Sequence, residues 1–479
     1  MGESMLSLQL QSDLCDLDTK EQGFLEKALL LLVKLDPQIL LNRDTLFAAV
    51  SRLIAEIDTR VSSQVSKLLH HPEFKQLEAA WRGVEALTSL PVSDQKNRVK
   101  ILDLSWHDLS YELNNALTIR RSYLYNLIGN KELNTPGGQP FGMIVVDHAL
   151  STDLDSDFDD LYTAELLANL GDLCLCPFIL SPADDFFGEE GADWASDTRR
   201  VKKILEGPDF VAWQHLRKQS VSRFLGVTLP KVKMRTEYAP QPFSGIMFTE
   251  DEEYKPGLWG NSAFLFASIA MREFNRINWF GFMKSRWQDK YYGALVNVPP
   301  NGMGSFATLS PCPDIRIITD MGNFYSDQGF IPLCHSLTTD KYFFRGNNSI
   351  WNHSKDDAEA VMGQIQTTLM ICRIAHYLKV QIRGMIGNFQ TAEECENFLN
   401  NWLDRYSSNL FNADEATLAK YPLSRGRVEV KEIEGQQGRY TCDVLVQPQY
   451  QFDNVCGEVL LSTDLGSETS GYGHIGGRA

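Results

Sequence analysis

Residues 391–406 read TAEECENFLNNWLDRY, and residues 427–447 read RVEVKEIEGQQGRYTCDVLVQ. In the first stretch, Thr391 and Glu394 form a capping-box pair, and apolar residues follow at helical spacing, which predicts an amphipathic helix. In the second stretch, two runs of alternating apolar residues flank the turn 435–438, which predicts a β-hairpin. An isolated hairpin is only marginally stable, so these strands need a sheet to join. This layout favours contacts between subunits over a substrate pocket.

The composition is that of an ordinary globular protein. The chain has 479 residues, of which 43% are hydrophobic and 22% are charged, and this length is enough for two or three domains. The 45 basic and 62 acidic side chains give a net charge of −17, which disfavours nucleic acid and an anionic membrane as the main partner. We therefore expect a polar assembly surface or a basic partner.

Neither a membrane span nor a secretory signal is expected from the sequence. The longest uncharged run near the middle, Pro256–Met271, is shorter than the ~20 apolar residues that cross a bilayer. The N-terminus carries Glu3 and Asp13 instead of a basic segment before an apolar one. Nine cysteines without a CxxC pair predict reduced thiols. These features together predict a cytosolic protein.

A long helix is predicted from Asp44 to about Leu69, with Asn42 as its cap. Pro72 interrupts the pattern, and a second amphipathic helix follows. The first helix carries apolar residues at steps of four and three, typical of a coiled-coil seam. This seam either packs on the protein's own body or receives helices from another chain. Its members are Leu46, Val50, Leu53, Ile57 and Val61.

From about Val99 the pattern changes to one of alternating strands and helices. It predicts strands over Val99–Leu104, Phe141–Val146 and Pro177–Leu180, and helices over Leu161–Leu170 and Gln364–Val380. Such alternation indicates an α/β body with at least one crossover unit. The Gly- and Ser-rich residues 466–479 predict a disordered tail.

The sequence contains no complete motif for catalysis or metal binding. Asp153, Asp155, Asp157 and Asp159 have the spacing of a calcium loop, but the sixth position is Phe158 and not glycine, and the twelfth is Ala164 and not glutamate. No GxxxxGK[ST], HExxH or GxSxG motif occurs. No set of nucleophile, base and orienting group is recognisable. We therefore predict no catalytic residue, no metal ligand and no cofactor.

In six segments the exact amino-acid sequence is more distinctive than the spacing of apolar and polar residues. In chain order they are HHPEFKQLEAAWRG at 70–83, GGQP at 137–140, ILEGP at 204–208, FLGVTLP at 224–230, LWGNSAF at 258–264 and RIAHYLKV at 373–380. They resemble successive signatures of the large subunit of the type VI secretion contractile sheath. The resemblance runs from about residue 45 to residue 463.

The resemblance implies a structural machine part that works in the bacterial cytoplasm. In that family the large subunit pairs with a small sheath subunit. The heterodimers stack with copies of themselves in six-fold helical layers around an inner tube of the haemolysin-coregulated type, on a baseplate. Contraction drives the tube into a target cell, and a Clp-type AAA+ ATPase then disassembles the sheath. Only residues 2–6 faintly suggest the segment that such an ATPase grips.

The resemblance also gives roles to residues of this chain. The seam of the long helix would contact the small subunit. The strands Arg427–Ile433 and Arg439–Gln447 would be shared between protomers, with five residues as their markers: Val428, Val430, Tyr440, Val444 and Val446. The acidic side of the helix 391–406 would face the tube, through Glu393, Glu396, Asn400 and Asp404.

The expected fold is α/β with mixed elements, in four parts. Residues 1–95 form a helical partner region, 96–390 a central α/β body, 391–465 a helix and β-hairpin engaged in inter-subunit strand exchange, and 466–479 the tail. A sheath protein of a phage-tail-like contractile particle is the alternative within the same structural class, and it would need no small subunit. Two alternatives come from other classes: a cytosolic metal-dependent hydrolase that uses the Asp153–Asp159 cluster, and an adaptor that binds one helix without polymerising.

Overall fold

The structure is a computed structural model. It describes residues 23–24, 27–28, 30–31, 34, 43–152, 158–188, 193–238, 245–251, 254, 257–280, 283, 295–296, 312–337, 341–353, 357–385, 392–408, 421–432, 440–448, 458–465 and 473–478. The chain divides into two compact units, one of residues 1–78 with 235–258 and the other of residues 79–234 with 259–479.

The first unit is built on helix α1, Arg43–Leu69, and the predicted long helix is thereby confirmed. Helix α2, Pro72–Thr88, begins with proline, which is tolerated at the first helical position because its missing N–H would be unpaired there. The segment 235–258 packs on α1, where the N–H groups of Thr249 and Asp251 donate to Ser62 Oγ and Ser66 Oγ at 3.3 and 3.0 Å. This segment, expected in the central body, thus folds with the N-terminal helices.

The second unit contains a five-stranded sheet in the order β1-β2-β3-β6-β7. Its first four strands are parallel, with a strand-to-strand register such as Phe178 opposite Leu225, and β7 is antiparallel to β6. A separate two-stranded sheet pairs β4 with β5. The bounds are β1 Ile144–Leu150, β2 Phe178–Pro182, β3 Leu225–Leu229, β4 Val232–Arg235, β5 Leu258–Gly260, β6 Ile331–His335 and β7 Tyr342–Phe344.

Helices cover both faces of the five-stranded sheet, as expected for parallel strands. Alternate strand residues point to opposite sides, so Phe178 and Leu180 join one core and Ile179 joins the other. The helices of this unit after α2 are α3 Trp106–Asn115, α4 Asp160–Cys174, α5 Thr198–Leu205, α6 Val211–Lys218, α7 Ala263–Ile277, α8 Thr319–Asp327, α9 Asp357–Met362, α10 Ile365–Met385 and α11 Ala392–Asp404; a further stretch, Tyr123–Tyr125, continues as a π-helix over Asn126–Asn134. The α/β fold class is confirmed, as are the helices at 161–170 and 364–380.

A four-stranded antiparallel sheet closes the chain, in the order β11-β10-β9-β8. Its strands are β8 Leu423–Glu432, β9 Tyr440–Pro448, β10 Glu458–Leu465 and β11 Gly473–Arg478. The predicted hairpin is confirmed as β8 and β9, whose register sets Val428 opposite Val444. One face of this hairpin packs with α10 and α11 in a single apolar core. The hairpin therefore finds its sheet and its cover within the same chain.

Two sequence expectations are wrong. Val99–Leu104 does not form a strand, and Val99, Ile101 and Leu102 are exposed. A β-prone run needs an adjacent strand, and none of the strands that the structure describes pairs with this segment. The tail expected to be disordered contains β11, which pairs with β10 from Glu458 opposite Arg478 to Thr463 opposite Gly473. Ladder hydrogen bonds come from the backbone, so a Gly-rich segment can form them without apolar side chains.

Candidate assembly surfaces

Helix α1 buries several small and polar residues and exposes one row of apolar residues. Its buried residues are Ala49, Asp58, Ser62 and Ser66. In contrast, Phe47, Ile54 and Ile57 are 57%, 52% and 57% exposed, and Val50 is also exposed. Isolated exposed apolar residues are common, but a row of them at helical spacing marks a contact surface. We call this row, Phe47, Val50, Ile54 and Ile57, the α1 stripe.

The predicted seam agrees with the α1 stripe only in part. Val50 and Ile57 are exposed, whereas Leu46, Leu53 and Val61 are half-buried. Sequence reasoning missed Phe47 and Ile54, although 47, 50, 54 and 57 also follow steps of three and four. Two overlapping apolar rows run along the helix, and periodicity alone does not say which of them the protein's own chain covers.

A buried ionic cluster holds the first unit together. The Arg235 guanidinium donates to Glu78 Oε1 at 2.7 Å and to Glu250 Oε1 at 2.6 Å. His70 Nε2 lies 3.3 Å from Glu250 Oε2, and the His70 ring stacks on Tyr254 with centroids 4.7 Å apart. We call Glu78, Arg235, Glu250 and His70 the Arg235 cluster. It ties the segment 235–258 to the end of α1 and the start of α2.

Hydrogen bonds within this cluster outweigh the effect of burial on the pKa values of Glu250 and Arg235. Burial opposes the ionised form of Glu250, but hydrogen bonds from Arg235 and from the backbone N–H groups of Tyr238 and Gly257 outweigh it and lower the pKa of Glu250. For Arg235, burial likewise opposes the charge, and the hydrogen bonds to Glu78 and Glu250 still raise its pKa. Glu250 and Arg235 are therefore both ionised at neutral pH.

The strand residues expected between subunits lie mostly inside the chain's own core. Val428, Val430, Val444 and Val446 are buried against α10 and α11. Tyr440 is the first residue of β9 and pairs in register with Glu432 and Leu465. The opposite face of the hairpin carries a charged row in which Lys431 Nζ lies 3.5 Å from Glu429 Oε2 and 3.4 Å from Asp443 Oδ2. Of the two faces, the charged one lies outside this apolar core.

The helix expected to face the tube divides its polar residues between two environments. Glu393 and Asp404 are exposed. Glu396 and Asn400 are half-buried, and they bond to the backbone of β8: Asn400 accepts from the Val428 N–H at 2.8 Å and donates to the Val428 carbonyl at 3.0 Å, and Glu396 Oε2 accepts from the Val430 N–H at 3.1 Å. These two residues therefore have a role within the chain that the sequence did not reveal.

Titratable residues of the second unit form no metal-binding cluster in the part of the chain that the structure describes. No group of three or more His, Cys, Asp or Glu residues there could hold a metal ion. Of the aspartate cluster, residues 153–157 lie outside the described residues, and Asp159 caps α4 by accepting from the Leu161 and Tyr162 N–H groups. Burial lowers the pKa of His376 to about 3, with help from the charges of Arg373 and Lys379, so this histidine is neutral at physiological pH.

Six of the seven described cysteines are buried, and Cys312 is exposed. All seven of them are unpaired, and burial raises the pKa of Cys174 and Cys442 to about 12 each. Since the thiolate is the reactive form, these residues act as small apolar side chains. Among the described helices, none is long and apolar enough to cross a bilayer.

Family models match almost the whole chain after its first fifty residues. Residues 51–351 match the model described as EvpB/VC_A0108, tail sheath N-terminal domain. Residues 354–465 match the companion model, described as EvpB/VC_A0108, tail sheath gpW/gp25-like domain. Both matched segments include surfaces described above: the first begins within α1, and the second contains α11 with strands β8, β9 and β10.

Among known proteins, the chain is similar to the type VI secretion system sheath protein TssC1 of Pseudomonas aeruginosa. The two are 26% identical over 449 residues, which is 90% of this chain and 89% of that protein. The chain also aligns with the crystal structure of a sheath tail protein from Desulfitobacterium hafniense. That alignment covers 65% of this chain and 62% of the other at 9% identity, and its TM-score of 0.30 is too low to support an argument.

Proposed function

The chain belongs to the VipB family of tail sheath proteins, and from this premise we propose that it is the large subunit of a type VI secretion contractile sheath. The full-length similarity to TssC1 supports this assignment. In this role the protein binds a small sheath subunit, polymerises with it around an inner tube on a baseplate, and contracts to propel the tube. It acts in the bacterial cytoplasm as a structural protein without catalytic activity.

One observation carries the proposal of a helical partner: the α1 stripe is exposed while the polar side of the same helix is covered. A helix normally buries its apolar side because this removes apolar area from water. Here Ser62 and Ser66 bond to the segment 235–258, so the protein's own packing uses a different side of the helix. The α1 stripe is left for an amphipathic helix of the small subunit, which would supply the missing apolar contacts.

The C-terminal sheet is the proposed place of contact between copies of the chain. The valines of β8 and β9 form the core that keeps this domain folded, so strand exchange would act through backbone pairing and through the charged row. Glu393 and Asp404, which are exposed on α11, are the residues of the predicted tube-facing set that remain available to the inner tube. A Clp-type ATPase would act on the N-terminal segment, which lies outside the described residues.

Capture of the small subunit from the native cells tests this function. The tagged chain should retain one small sheath protein, identified by mass spectrometry. Ile54→Asp with Ile57→Asp should abolish capture, because both substitutions set a charge into the helix seam. Arg52→Asp, a change at an exposed position on another side of α1, should leave capture intact. Equal capture by all three proteins would remove the α1 stripe from the proposal.

The same capture separates the sheath of a secretion system from that of a phage-tail-like particle. The phage-tail-like alternative needs only the one sheath chain, so the wild-type protein would polymerise with no small partner in the eluate. The hydrolase alternative has no support from the family matches. We therefore do not retain it.

A further inference from the structure

Among the residues that the structure describes, strand β8 lies at one end of the four-stranded sheet, so half of its backbone groups face no described strand. Such an edge is a template on which another strand can pair. The backbone N–H and C=O groups of odd-numbered positions such as 427 and 429 point towards β9. Those of Val428 and Val430 point away from β9, towards α11. These outward groups are the ones that Asn400 and Glu396 bind.

The Asn400 side chain reproduces a peptide group of a neighbouring strand. Its amide accepts from the N–H and donates to the carbonyl of one residue, Val428, at 2.8 and 3.0 Å. Its second amide hydrogen is donated to the Glu396 carbonyl at 3.0 Å, which fixes the orientation of the group. Glu396 then occupies the next outward N–H, that of Val430.

The spacing of a helix and that of a strand coincide at this edge. Four residues of helix rise about 6.0 Å, and two residues of strand rise about 6.6 Å. Glu396 and Asn400 are four apart on α11, and Val430 and Val428 are two apart on β8, in the opposite direction. The correspondence between helix and strand positions extends to Leu403 and Gly426, which pack on each other. A Cβ added at Gly426 would lie 2.4 Å from Leu403 Cδ2.

We propose that Glu396 and Asn400 form an edge cover, an autoinhibitory contact that keeps a strand of a second copy of this chain from pairing with β8. The cover holds α11 along the edge, while Leu399, Trp402 and Leu403 anchor the helix in the core. This inference deepens the proposed function, since it directs strand exchange away from β8 in the free subunit. It concerns the isolated chain, and it can fail or hold whether or not a sheath forms.

Hydrogen exchange of the full-length chain tests the contact itself. In Asn400→Ala the Val428 amide should exchange about tenfold faster or more, and in Glu396→Ala the Val430 amide should do so, because each loses its acceptor. Glu396→Gln keeps an acceptor oxygen and should restore protection. Asn401→Ala, an exposed neighbour on the same helix, is the matched control. Unchanged exchange in the alanine variants would overturn the proposal.

Peptide binding tests whether the contact excludes a strand. The probe is a fluorescent peptide with the sequence of residues 440–447, and the readout is anisotropy. The double variant Asn400→Ala with Glu396→Ala should bind it at least about tenfold more tightly than the wild type, and a scrambled peptide should not bind. If the double variant does not fold, the peptide is tested on Glu396→Ala alone, which retains the Asn400 amide. Faster exchange without peptide binding would show a purely structural contact and would overturn the proposal.

Discussion

Replacing Arg235 by alanine should open the first unit of the protein. Arg235 lies between two carboxylates of which Glu78 is 14% exposed and Glu250 is 4% exposed. Without the guanidinium, both would remain in a poorly solvated site with no cation between them. Breaking a buried ion pair by removing one partner costs about 3–5 kcal/mol.

We expect a value at the lower end of that range. Glu250 keeps hydrogen bonds from the Tyr238 and Gly257 N–H groups at 3.2 and 3.3 Å, so part of its charge stays compensated. A loss of about 3 kcal/mol corresponds to more than a hundredfold in an equilibrium constant. The amides of α1 that exchange by opening of this unit should therefore exchange about a hundredfold faster.

Hydrogen exchange followed by mass spectrometry measures this effect in peptides that cover residues 43–69. Arg60→Ala is the control, because its ion pair with Glu56 on the same helix is exposed and such pairs contribute at most about 1 kcal/mol. The combined replacement Glu78→Gln, Arg235→Met and Glu250→Gln should recover more than half of the loss, since it leaves no buried charge. Equal exchange in Arg235→Ala and Arg60→Ala would refute the reasoning.

The pH dependence gives a second check on the same cluster. The pKa of Glu250 is lower in the folded protein than in the unfolded chain, so its ionised form stabilises the fold. That contribution is complete above the ordinary glutamate pKa of about 4.3 and is lost as the pH falls through the lower folded value. The difference between wild type and Arg235→Ala should therefore shrink on acidification below about pH 4. A difference that grows in this range would contradict the assignment.

Three further predictions concern the second unit. The pKa of His376 is about 3 in the folded protein and about 6.5 in the unfolded chain. As the pH falls from about 6.5 to about 3, the free energy of unfolding should therefore decrease by up to about 1.4 kcal/mol per pH unit. Denaturant titrations of His376→Gln should lack this slope, and an unchanged slope would contradict the prediction. Val444→Ala removes a fully buried side chain and should cost roughly 2–3 kcal/mol by thermal unfolding, at least twice the cost of Leu445→Ala on the other face. Gly426→Ala should displace Leu403 and cost about 1–3 kcal/mol, whereas Gly142→Ala, with no atom within 4 Å of the added carbon, should be neutral in the same assay.

The local elements were predictable because their side-chain periods are regular. Alternation of Val428 and Val430 with charged residues predicted β8, and steps of three and four predicted α1. The partners of these elements were not predictable, because the same alternation suits a sheet within the chain or one between chains. The tail strand β11 was missed because composition reports side chains, whereas its pairing with β10 depends on backbone groups.

For the candidate assembly surfaces, too, the sequence predicted the elements but not their contacts. Sequence identified α1 as a helix with surplus apolar residues, but the choice of its covered side depends on Ser62 and Ser66 meeting a segment nearly two hundred residues away. Glu396 and Asn400 were recognised as the polar side of a helix. Their bonds to β8 arise from the tertiary match between a helix and a strand edge, which has no signature in local spacing.

Electron microscopy of the chain purified from its native cells tests the central claim most directly. We predict hollow ridged tubules, accompanied by one small sheath protein in mass spectrometry. Val444 and Val446 are unsuitable as assembly mutants, since they are buried in the core of the chain, and a charge there would unfold the domain. Ile54→Asp with Ile57→Asp should instead abolish the tubules and leave a folded chain. Monodisperse wild-type particles without a partner would contradict the account.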